Sequence, residues 1–130
     1  MDITQLLLAG DVSSDDDGLA VTRWLRRVRP ETTRLAVSGG LLFDGESWLQ
    51  LFEGTANAVG ALRNILVDEA ALGAAVLLFD RADAGLRVCR HWSCGYVEPG
   101  AIESLRQVAA DADQTALALF AATLNSVDAS

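Results

Sequence analysis

Apolar positions along the chain recur with two different periods, and each period marks its own kind of element. Residues 3–9 hold Ile3, Leu6, Leu7, Leu8 and Ala9, a short dense run that predicts a buried strand. Residues 10–18 are rich in Asp, Ser and Gly and predict a loop. Its acids Asp15, Asp16 and Asp17 stand where a helix N-terminus favours negative charge. From about 19 to 29, Val21, Trp24, Leu25 and Val28 recur at helical spacing, with Arg23, Arg26 and Arg27 on the opposite face. Pro30 should end this helix. Residues 35–43 predict a strand in which Gly39-Gly40 marks a bulge or a close backbone approach. Asp44-Gly45 signals a tight turn. The strand returns over 47–53, and its alternation sends Trp48, Gln50 and Phe52 to one face and Leu49 and Leu51 to the other. One amide, Gln50, thereby falls among large apolar side chains.

In the second half, Thr55 is placed to cap a helix running to about Asp68, with Val59, Leu62, Ile65 and Leu66 as its buried stripe. Residues 74–79 predict a central strand, 80–85 a turn and 86–97 a final strand. The order βαββαββ predicts an α+β sandwich of ferredoxin-like kind, with an antiparallel-dominated sheet and two helices on one face. Pro99-Gly100 then separates a core over 1–97 from a helical extension over 98–130. Ile102, Leu105, Val108 and Ala112 form one apolar stripe there, and Ala116, Leu117, Phe120 and Leu124 another.

Composition narrows the chemistry. A length of 130 residues suits one domain with one core. Hydrophobic residues make up 51%, yet no apolar run approaches the roughly 20 residues of a membrane span. The acidic start, Met1 to Gln5, lacks the basic region of a signal peptide, so a cytoplasmic protein is expected. A net charge of −8 repels a phosphate backbone on average, although a local patch can differ in sign. The two cysteines, Cys89 and Cys94, are expected as reduced thiols.

His91 is the single histidine, and nothing in the sequence orients it against a nucleophile, so no catalytic residue is expected. Cys89, His91 and Cys94 lack a fourth zinc ligand, and strand alternation puts Cys94 on the face opposite the other two. Asp15, Asp16 and Asp17 lack the alternating acids of a calcium loop, and Ser38-Gly39-Gly40 lacks the ending of a phosphate loop. The arginines between residues 23 and 29 have the chemistry to hold an anion, but a solvated helix face explains them as well.

Three blocks carry more when read as motifs. Val37-Ser38-Gly39-Gly40-Leu41-Leu42-Phe43, followed by Trp48-Leu49-Gln50-Leu51-Phe52-Glu53-Gly54, resembles the I-T-G-x-L-L-Y and F-L-Q-x-L-E-G patterns of BLUF domains, the blue-light sensors that use flavin. Arg87-Val88-Cys89-Arg90-His91-Trp92-Ser93-Cys94-Gly95-Tyr96 resembles that family's R-x-F-x-x-W-S-M-G-F. The resemblance covers about residues 3 to 97.

It implies a ferredoxin-like sandwich with FAD between the two helices. It further implies a tyrosine on the first strand that donates to a glutamine on the third. Blue light would move an electron and a proton from that tyrosine to the flavin and rearrange the glutamine's hydrogen bonds. The last strand, with its tryptophan and methionine, would pass the change to a C-terminal helix or a partner.

Carried over position by position, Gln50 stands at the switching glutamine and Trp92 at the signalling tryptophan, while Cys94 replaces the methionine. Leu8 falls at the donor tyrosine, and leucine has no phenol. Thr32 falls at the asparagine that pairs with the ring edge, and a hydroxyl cannot offer an amide's paired donor and acceptor. Ala70 and Ala71 fall at an arginine and a histidine that approach the flavin. Tyr96 stands at the terminal aromatic. Each lost buried hydrogen bond costs about 1–3 kcal/mol, so several together weaken flavin binding by orders of magnitude.

The expected function is thus a BLUF-type regulatory domain, not an enzyme, with FAD absent or weakly bound. It would act on a second copy of itself or on a regulatory protein, with neither nucleic acid nor membrane as partner. A working photoreceptor with a non-standard FAD pocket is the alternative. A small-ligand binder on the same fold is a third reading, and it needs a convergent polar pocket that the sequence does not reveal around His91.

Overall fold

The computed structural model describes residues 3–12, 19–67, 75–82, 85, 87–111 and 113–127. Their elements are β1 (Thr4–Asp11), α1 (Leu19–Arg34), β2 (Ser38–Phe43), β3 (Ser47–Gly54), α2 (Ala56–Val67), β4 (Val76–Arg81), β5 (Trp92–Tyr96), α3 (Ala101–Asp111) and α4 (Asp113–Val127). The strands form one sheet in the order β4-β1-β3-β2-β5. All neighbours are antiparallel except β5, which runs parallel to β2. This is the expected α+β, ferredoxin-like arrangement with added C-terminal helices.

The central strands are buried on both faces, which is why β1 reads as a nearly continuous apolar run. On one face Leu6, Leu8, Leu41, Phe43, Trp48 and Phe52 pack with Trp24 and Val28 of α1 and Val59, Leu62 and Leu66 of α2. On the other, Leu7, Leu42, Leu49 and Leu51 pack with Ile102 and Leu105 of α3 and Leu117, Phe120 and Leu124 of α4. The predicted alternation along β3 is therefore present. Thr55 caps α2 through Ala58 N–H, which donates to Thr55 Oγ1 at 3.2 Å. At Gly39, with φ 125°, a Cβ would collide with the Leu51 carbonyl oxygen, so the expected close backbone approach is real.

Three expectations need correction. Pro30 does not end α1, which continues to Arg34. Pro30 lies on an exposed face together with Arg26, whose carbonyl loses its intrahelical donor. The helix closes later, where Ala36 adopts φ 54°, Val37 N–H donates to Thr32 C=O at 2.9 Å and Ala36 N–H to Thr33 C=O at 3.3 Å.

β4 is not central. It takes the free edge of β1, and Val76 and Leu77 stay 47% and 42% exposed. An apolar run reads alike at the centre and at the edge of a sheet.

The final strand spans only Trp92–Tyr96 of the expected 86–97, because residues before it give their amides to a side chain instead of a ladder. Asp15, Asp16, Asp17, Asp68, Glu69, Ala70, Ala71 and Ala112 lie outside the described residues. Among the described residues, no helix is long and apolar enough to cross a membrane.

Candidate functional site

Strand register puts the sequence-derived positions in rows across the helix-covered face. Leu8 of β1 pairs with Gln50 of β3, Gln50 with Leu41 of β2, and Leu41 with Cys94 of β5. Three of the positions singled out from sequence thus share one row. The neighbouring row runs Leu6, Phe52, Gly39, Trp92. Gly39 carries no side chain, so Phe52 and Trp92 stack across it, their centroids 6.5 Å apart at 20°.

Gln50 is fully buried, and its Oε1 accepts a hydrogen bond from Trp24 Nε1 at 2.7 Å. Among the described residues its Nε2 has no acceptor, and neither does the buried Nε1 of Trp92. Thr32 is buried near the end of α1, but its hydroxyl donates to the Arg29 carbonyl at 2.9 Å within its own helix. Cys94 is half-buried, and Arg29 Nη2 donates to its Sγ at 3.0 Å.

Whether this layer suits a flavin can be judged from its own side chains. Leu8, Trp24, Val28, Trp48, Gln50 and Leu62 are all at 2% exposure or less, and the five apolar ones belong to one packed cluster. An indole occupies the layer between α1 and the sheet and holds the carbonyl oxygen of the one amide that would read a ring. Leu8 offers no proton, and the Thr32 hydroxyl proton is already placed. These residues do not fit a three-ring flavin at this position.

Sequence reasoning missed a second polar constellation at one end of the sheet. Glu53 is fully buried on β3, and its carboxylate accepts from Gln5 Nε2 at 2.7 Å, Ser38 Oγ at 3.2 Å, Val88 N–H at 2.7 Å and Cys89 N–H at 3.0 Å. Four donors compensate a charge that burial alone would penalise. Arg87 Nη1 adds bonds to Ser38 Oγ at 2.9 Å and to the Glu53 carbonyl at 3.0 Å. The network fastens the segment before β5 to the sheet. Burial, and then the neighbouring Glu53 carboxylate, push the Cys89 thiol up to about 12. A readable signal existed: Glu53 continues the inward phase of Leu49 and Leu51, and Gln5 is its cross-strand partner. Trp24 gave no such signal, since its indole N–H is invisible in an apolar stripe. Among the described residues, no three His, Cys, Asp or Glu side chains converge as metal ligands.

No family model matches the sequence, and no curated protein matches it. Solved structures do match the fold. BlrB, a BLUF protein in its dark state, is 18% identical, with 97% of this chain and 98% of that one covered at a TM-score of 0.74. BlsA in its photo-activated state is 18% identical, with 95% and 94% covered at a TM-score of 0.70. Klebsiella pneumoniae BlrP1, solved with FMN and cyclic diGMP, is 22% identical over 78% of this chain and 29% of its own, at a TM-score of 0.61. With its strand order, its two helices over the row of Leu8, Gln50 and Cys94, and these likenesses, the chain has the fold of the BLUF proteins.

Proposed function

We propose that this chain is a BLUF-fold regulatory domain that has lost ordinary flavin photochemistry and acts through contact with a second copy of itself. The observation that carries the reading is the Trp24–Gln50 hydrogen bond inside a closed layer, which gives the fold's switching position a fixed internal partner. Leu8 removes the donor that light would need, and Thr32 removes ring recognition. In this reading Gln50, Trp92 and Cys94 keep structural roles at the flavin and signalling positions. The cores of α3 and α4 face the sheet, so the contact surface is the outer side. At the end of β5, beside the first residue of α3 and Thr123 of α4, Tyr96 is 62% exposed and borders a cavity of about 460 Å³.

Equilibrium dialysis of the full chain against FAD, with sedimentation velocity on the same sample, tests both halves. The expected result is no stoichiometric FAD and a concentration-dependent dimer. Stoichiometric FAD at micromolar concentration overturns the first half, and a monomer at every concentration overturns the second.

A second reading, a photoreceptor with a rearranged flavin pocket, is favoured by one observation. Gln50 Nε2 and Trp92 Nε1 are both buried donors without an acceptor, and a ligand carbonyl would satisfy them. It requires Trp24 to leave its place, and it predicts that flavin appears on denaturing the purified protein.

A further inference from the structure

A cavity of about 420 Å³ opens where α1 turns into β2, with Thr33 and Ala36 on one side and Arg87, Arg90, His91 and Trp92 on the other. This is the convergent polar pocket near His91 that the sequence did not reveal. We propose that it binds a small phosphate-bearing anion.

The charge of the lining runs against that of the molecule. The chain carries −8 overall, and all ten of its Lys and Arg residues are arginines. Two of them meet at this cavity beside the only histidine, and no acidic side chain lines it among the described residues. The size lies within the range of about 300–1,000 Å³ usual for small-molecule sites.

A count of donors shows what is lacking. Arg90 makes no hydrogen bond or ion pair among the described residues. Among the described residues both side-chain bonds of Arg87 leave from Nη1, so its remaining N–H groups have no partner there. The Trp92 indole N–H is buried without an acceptor. The hydroxyls of Thr32 and Thr33 are already committed to the Arg29 carbonyl. The cavity therefore has a surplus of donors and a deficit of acceptors, which an oxyanion corrects. Two guanidinium side chains and an indole that line one cavity from separate chain positions suit a tetrahedral oxyanion, with acceptors in all directions, better than a planar carboxylate.

Both walls are fixed in advance. Glu53 holds the amides of Val88 and Cys89, and Gly39 N–H donates to the His91 carbonyl at 3.2 Å. The opposite wall is the closed turn at Ala36. Preorganised walls lower the ordering cost of binding. Arg87, Arg90 and His91 are not among the flavin positions, although Thr32 and Trp92, which also line the cavity, are, so the inference rests on the reading that the Trp92 indole N–H is not taken by a flavin.

The test is calorimetric titration of the full chain with inorganic phosphate at constant ionic strength, with succinate as the planar control. The indole N–H resonances are followed in parallel, with Trp92 assigned from Trp92→Phe. Arg90 is exposed, so Arg90→Ala should fold normally. The expected results are saturable phosphate binding, a shift of the Trp92 indole peak, and affinity about tenfold weaker in Arg90→Ala. No saturation at millimolar phosphate, unchanged affinity in Arg90→Ala, or tighter binding of succinate would each overturn the proposal.

Discussion

On the sheet face under α3 and α4, Leu7, Leu42, Leu49 and Leu51 meet Ile102, Leu117, Phe120 and Leu124, and the polar groups are confined to one end around Glu53. On the face under α1 and α2, the same strands turn Leu8, Gln50, Leu41 and Cys94 inward, so an amide sits at the centre of the layer and is only half satisfied. The two faces share every strand and still differ in kind. Because side chains alternate with period two, residues on one face can change without disturbing those on the other. The α3/α4 face supplies packing. The α1/α2 face carries the positions at which the sequence resembles the BLUF pattern, and there Trp24 and Leu8 are packed into the core.

Deep truncation on the α3/α4 face should therefore cost most. Phe120→Ala is expected to lose about 3–5 kcal/mol in denaturant unfolding, since Phe120 is fully buried among side chains of both the sheet and the helices. A loss below 1 kcal/mol would mean that α3 and α4 are not part of the core. Next comes the polar end. Glu53→Ala is expected to cost about 3 kcal/mol and to speed hydrogen exchange at the Val88 and Cys89 amides, which lose their acceptor. Unchanged exchange at those two amides would break the anchoring account.

The α1/α2 face should respond differently. Trp24→Phe removes the donor to Gln50 and is expected to cost about 1–2 kcal/mol. Adding Gln50→Leu should recover much of that loss, because the second change removes a buried amide left without partners. A double-mutant cycle measures the coupling. Strictly additive costs would mean that the Trp24–Gln50 bond contributes nothing.

The smallest effect is that of pH on Cys89. Its folded-state value is raised, so the unfolded chain loses the thiol proton first. The stability involved is fully present below the ordinary thiol range and falls as pH rises toward about 12. Cys89→Ser should flatten that decline in alkaline unfolding curves, and an unchanged slope would argue against it.

Much of this architecture was legible in the sequence. The alternation along β3, the Thr55 cap and the Gly39 approach all followed from local rules, because local geometry decides them. What failed depends on tertiary context. Pro30 does not stop α1, which runs on to Arg34 with Thr32 buried two residues beyond it, a burial that the local proline rule does not include. The segment before β5 lost its strand character to Glu53, a residue 35 positions from Val88. Gln50 could be read as buried, but its partner Trp24 could not, since the pairing spans 26 residues and joins a helix to a strand. The basic cavity at Arg87 and Arg90 was hidden for the same reason: only the fold brings those arginines to the end of α1.

In the proposed reading the chain's own side chains close the layer between α1, α2 and the sheet to flavin. The most direct measurement is the visible absorption spectrum of the purified full chain after incubation with FAD and removal of free flavin, recorded before and during blue illumination. No flavin bands and no light-induced change are expected. A yellow protein whose flavin bands shift reversibly to the red under blue light would contradict it.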